Sequence, residues 1–119
     1  MKFNDSYELA KYFDEKHLSV AYPVKPSHPS RKDYKSNAEY GKALDEWEAD
    51  VDEWREKHKQ YSAEGRAINE QFKAAVLEYL ELTNHPKAEK FWAIVWERGH
   101  SGGYSEIVIE AEELAELLQ

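Results

Sequence analysis

The chain has 119 residues, no cysteine, 24 Asp/Glu against 16 Lys/Arg, and a formal net charge of −8. That length fits a single domain with a modest core, residues 1–119, and excludes a large enclosed active site; the missing cysteines exclude disulfides, thiol catalysis and Cys-type zinc centres. The acidic surface repels a phosphate backbone, so direct nucleic-acid binding is not expected. No apolar run approaches the ~20 residues of a membrane span, and Met1-Lys2-Phe3-Asn4-Asp5 starts no signal peptide, so a cytoplasmic protein without membrane contact is expected.

Residues 1–36 combine a short helix with a proline-rich wrap. Asp5 and Glu8 have capping-box spacing, and Tyr7, Leu9, Ala10, Tyr12 and Phe13 give a helix over 5–17 its apolar side. Residues 18–22 read as a strand or an extended segment. Pro23, Pro26 and Pro29 then fix φ and remove three N–H donors, which predicts a loop over 23–36. This first third is slightly basic, with seven Lys/Arg against five Asp/Glu.

The next 46 residues carry the strongest pattern. Tyr40, Leu44, Trp47, Val51, Trp54, His58, Tyr61, Gly65, Ile68, Phe72, Ala75, Tyr79 and Leu82 fall on an unbroken 4-3-4-3 rhythm. Such a rhythm averages 3.5 residues per turn and puts every member on one stripe of a helix. It predicts one long helix over 37–82, opened by Ser36 and Glu39 as a second capping box; Gly65 makes a turn over 60–65 and two helices the alternative, against which the unbroken register argues. A 43-residue stripe at a ~1.5 Å rise is about 65 Å long, whereas a compact domain of this size is about 28 Å across. Part of the stripe therefore calls for a second segment, from this chain or another. Over 40–61 the stripe is narrow, predicting an arm; over 66–82 Ala74, Val76, Leu77 and Leu80 widen it, predicting a core helix.

Thr83-Asn84-His85-Pro86 ends that helix, with Pro86 suited to the first turn of the next. Ala88, Phe91, Trp92, Val95 and Trp96 form an amphipathic face over 86–98, and Gly99 is placed to close it in left-handed geometry. Ser101-Gly102-Gly103 is a tight connector. Ile107, Ala111, Leu114 and Leu118 repeat helical spacing, although Ile107-Val108-Ile109 is β-branched and suits a strand as well. The expected fold is all-α: a long central helix with a heptad-like stripe, packed against a C-terminal helical pair over 86–119 and a short N-terminal helix.

Chemistry-bearing residues are sparse. Glu97 and His100 have the Glu-x-x-His spacing of di-metal bundles, which need the motif twice; Asp14 and His17 are a poor second copy, so no metal and no cofactor are expected. His100, Ser101, Gly102 and Gly103 define a turn whose free N–H groups could hold an anion or small ligand, against a plain helix–helix turn. Pairing His100 or His85 with Ser101 for nucleophilic catalysis lacks the strand-to-turn frame that exposes a serine, and no enzyme is expected. The remaining candidate is the aromatic ridge Trp47, Val51 and Trp54 with its acidic rim, Glu46, Asp50 and Glu53. Tryptophan is a frequent interface hot spot, and this ridge suits a partner with an apolar groove and a basic edge. The alternative is that the N-terminal helix or the proline-rich loop covers it.

Asn84-His85-Pro86-Lys87-Ala88, Trp96-Glu97-Arg98-Gly99-His100-Ser101-Gly102-Gly103-Tyr104-Ser105-Glu106 and Leu114-Ala115-Glu116-Leu117-Leu118 resemble segments of small helical accessory proteins of bacteriophages and prophages. The resemblance spans the C-terminal half and implies a setting rather than a mechanism. The residues themselves point to a non-enzymatic binding protein, and in that setting its expected partner is a host protein in the host cytoplasm, modulated or inhibited as part of a defence or nucleic-acid-processing system. The alternatives are a self-assembling helical homo-oligomer, with a homodimer formed through the stripe, and an acidic mimic of DNA. Arg55, Lys57 and Lys59 interrupt the charge row that mimicry needs.

Overall fold

The computed structural model describes residues 2–118, and all regular structure among them is helical. Four α-helices follow in chain order: α1 (Ser6–Leu18), α2 (Asn37–Tyr79), α3 (Ala88–Gly99) and α4 (Gly103–Ala115). Short 3-10 turns sit at Arg31–Asp33, His100–Gly102 and Glu116–Leu118.

Both capping boxes form, in a shared variant. Asp5 accepts from the Glu8 N–H at 2.8 Å while the Glu8 carboxylate reaches back to the Asn4 N–H at 2.8 Å. Ser36 accepts from the Glu39 N–H at 3.2 Å, and Glu39 reaches back to the Lys35 N–H at 3.2 Å. In each case the carboxylate meets the residue before the cap, so donors left open by the helix start are satisfied at the surface.

Helix α2 runs unbroken through Gly65, as the stripe predicts, but stops at Tyr79 rather than 82. Its end is a Schellman turn: the Leu82 N–H donates to the Leu77 carbonyl at 2.7 Å and the Glu81 N–H to the Glu78 carbonyl at 3.0 Å. Glu81 takes φ +59, the left-handed geometry usually given to glycine. Leu82 and Leu77, the pair this motif brings together, are both buried. The stripe's last apolar residue thus lies past the helix, where it staples the turn.

Two further expectations are corrected here. Pro86 lies in the turn before α3 instead of its first turn; Lys87 is the cap, and its N–H donates to His85 Nδ1 at 3.0 Å. Gly99 is right-handed, with φ −108. Its lack of a side chain serves close packing: a Cβ there would lie 2.8 Å from Ile107 Cα. Left-handed geometry falls on Gly103, φ +82 and ψ −173, a region essentially reserved for glycine. The β-branched run 107–109 is helical, because Ile107 and Val108 are buried while Ile109 stays outside.

The single domain expected from length contains two compact units, Met1–Ser19 with Gly65–Gln119, and Val20–Glu64. In the first, α4 packs on both α3 and α1. Its interior centres on Phe72, which has no exposed surface. The rings of Tyr104, Phe13 and Trp92 lie 4.4, 5.2 and 5.7 Å from it, all inclined rather than face to face, the arrangement aromatic quadrupoles favour. Leu9, Val76, Val95 and Ile107 complete the core. The second unit is built from α2 up to Glu64 and the proline-rich segment.

Candidate functional site

In the second unit the narrow stripe is covered by residues 20–30. Trp54 Nε1–H donates to the Pro23 carbonyl at 3.2 Å, Trp47 Nε1–H to Pro26 at 3.3 Å, and the Tyr40 hydroxyl to Pro29 at 3.4 Å. The donors are seven residues apart and the acceptors three apart, in opposite order, so the strap runs antiparallel to α2. The spacing has a geometric reason. Seven helical residues advance about 10.5 Å, and three residues of polyproline-type chain about 9.3 Å. Proline supplies that extended chain without an N–H of its own to satisfy.

Rings fill the gaps between these bonds. His28 lies 4.6 Å from Trp47, edge to face, and Tyr22 lies 5.1 Å from Tyr61. His58 sits between Trp54 and Tyr61, at 5.1 and 6.3 Å. Lys25 Nζ stands 5.6 Å from the Trp54 ring, a cation over the best aromatic acceptor. Arg31 anchors the end of the strap, donating to Asn37 Oδ1 at 3.0 Å and to the Tyr34 carbonyl at 2.7 Å.

Of the predicted ridge, Val51 is buried and Trp47 and Trp54 are half-buried, so the second segment that the stripe requires comes from this chain. The acidic rim stays outside: Glu46, Asp50 and Glu53 are exposed. Glu53 pairs with Lys57 at 3.0 Å and Asp52 with Arg55 at 3.6 Å, both surface pairs worth little. Asp50, Glu53 and Trp54 come together around a depression of about 250 Å³ with Pro23, Val24 and Pro26. Val24 is 85% exposed and Tyr22 65%. The ridge residues were legible from sequence; the apolar contribution of Tyr22 and Val24 was not.

The turn His100–Gly103 lies in the first unit and joins α3 to α4. The Gly103 N–H donates back to the His100 carbonyl. A Cβ on Gly102 would lie 2.7 Å from Glu106 Cβ, so the Glu106 side chain folds over the start of α4. Glu106 is the acidic residue of the first turn of α4, where the helix dipole favours one.

His100 and Gly103 instead line a cleft of about 470 Å³ together with Trp96, Tyr104, Ile107, Asn69 and the α1 residues Asp14, His17 and Leu18. Tyr104 donates its hydroxyl to Asn69 Oδ1 at 2.7 Å. Burial, and then the charge of Asp14, raises its pKa above the ordinary 10.0, so it stays a protonated donor. His100 Nδ1 lies 2.8 Å from the Trp96 carbonyl, and its ring stacks on Trp96 at 6.0 Å and 16°. Asp14, His17 and His100 share this cleft, while Glu97 is not among its lining residues. Among the described residues no three His, Asp or Glu side chains are grouped to hold a metal ion.

These features define a small all-helical protein with a self-covered aromatic stripe. The chain belongs to a family of unknown function, DUF8546, whose model matches residues 9–119. No curated protein and no solved structure matches it.

Proposed function

We propose that this is a non-enzymatic protein-binding protein and that its docking surface lies on the unit of residues 20–64. The observation that carries the reading is the composite surface at Trp54: exposed Val24 next to Asp50, Glu53 and Lys57, with exposed Tyr22 against Tyr61 and Glu46 along the same helix. Large apolar side chains left in water beside carboxylates suit a partner presenting an apolar patch with a basic edge. Trp47 and Val51 serve this surface from beneath, by holding the strap that presents it. His28 and His58 pack on aromatic rings as parts of the strap joint. In the phage setting that the C-terminal half resembles, the partner is a host protein of a defence or nucleic-acid-processing system, and binding modulates or inhibits it.

The test is affinity capture from bacterial lysate with the wild-type chain and a Val24→Asp/Asp50→Lys/Glu53→Lys variant. These positions are exposed, so the variant should retain its helical circular dichroism. The expected result is one stoichiometric protein, bound by the wild type, released by added salt and lost with the variant. Equal capture by both chains would remove the docking surface from residues 20–64.

A further inference from the structure

The cleft between α1 and the α3–α4 turn has a chemistry of its own. Its aromatic wall is the near-parallel pair Trp96 and His100. Leu18, 82% exposed, and Ile107 add apolar surface. Asp14 is the one Asp, Glu, Lys or Arg among the lining residues, and no ion pair engages it among the described residues.

The other polar groups favour a donor-rich guest. A carbonyl only accepts, so His100 Nδ1 carries the proton that faces Trp96 O. The Tyr104 hydroxyl spends its proton on Asn69 and keeps lone pairs to accept. The cleft therefore offers one carboxylate, the lone pairs of the Tyr104 hydroxyl, the imidazoles of His17 and His100, and a flat aromatic face.

We propose that this cleft binds a guanidinium group, presented by an arginine side chain. A guanidinium is planar, weakly hydrated and rich in N–H donors; it stacks on an indole while its fork meets a carboxylate. A lysine ammonium carries equal charge but no flat face, and an anion would meet Asp14. The inference stands on residues 14–18, 69 and 96–107 and is independent of the docking surface at residues 20–64.

The experiment is an NMR titration of the ¹⁵N-labelled full chain with N-acetyl-argininamide, methylguanidinium and N-acetyl-lysinamide. The Trp96 indole N–H, assigned with Trp96→Phe, and the Asn69 side-chain amide report on the cleft. Saturable shifts of both signals are expected at about millimolar arginine derivative, with binding roughly fivefold weaker for the lysine derivative and in Asp14→Asn. Asp14 is exposed, so Asp14→Asn should keep the wild-type spectrum elsewhere; Leu18→Ser, which leaves the carboxylate in place, should retain the preference for arginine over lysine. The arginine derivative should bind more tightly than methylguanidinium, because its side-chain methylenes reach Leu18 and Ile107; tighter binding of methylguanidinium would overturn the assignment to an arginine side chain. Absent saturation, equal binding of lysine, or unchanged affinity in Asp14→Asn would each overturn it.

Discussion

The two units use one helix stripe in two ways. From Ile68 to Tyr79 the stripe enters a core where Phe72 and Val76 are fully removed from water and Phe72 is ringed by Phe13, Trp92 and Tyr104. From Tyr40 to Tyr61 only Val51 is buried, and the cover is a backbone: proline carbonyls meeting indole and phenol donors. The first mode draws on area removed from water, which grows with every methylene. The second draws on a few directional bonds between half-buried groups, each contributing about 1 kcal/mol net. Heptad spacing in a sequence thus reports that a helix face is covered, and leaves open whether a helix covers it.

The largest expected effect tests the first mode. Phe72→Ala should destabilise the protein by about 3–5 kcal/mol, as ring deletions in close-packed cores do. Urea unfolding measures it, and a loss below roughly 1.5 kcal/mol would deny the ring cluster its central place. Gly103→Ala should cost about 1–3 kcal/mol by forcing a side chain into glycine-only geometry; hydrogen exchange should show the effect in α3 and α4, and an unaffected protein would show that the turn relaxes freely. Trp54→Phe keeps a ring and removes the indole donor. It should cost about 0.5–1.5 kcal/mol and raise hydrogen exchange in the strap amides of 20–30 while the Phe72 core stays protected. Equal loosening of both units would erase the distinction drawn between them.

Much of this was readable in the residues. The stripe identified α2 and its passage through Gly65, and the Asp5–Glu8 and Ser36–Glu39 pairs marked two helix starts. The sequence also placed Trp47, Val51 and Trp54 on one face. Misreadings arose where a local signal has two structural uses. Gly99 looked like a left-handed cap and is a point of close helix packing, while Gly103 takes the positive φ. Leu82 kept the helical rhythm because a Schellman turn returns its side chain to the same face. The cleft was beyond reach, since Asp14, Asn69 and Tyr104 converge only once three helices have packed.

The strap and helix also work as a vernier. Their repeats advance by about 9.3 and 10.5 Å, close enough for three successive bonds to stay in step. An added residue between Pro23 and Pro29, or between Tyr40 and Trp54, would set a different carbonyl opposite at least one ring donor. The joint can lengthen only by quanta, three residues on one side with seven on the other.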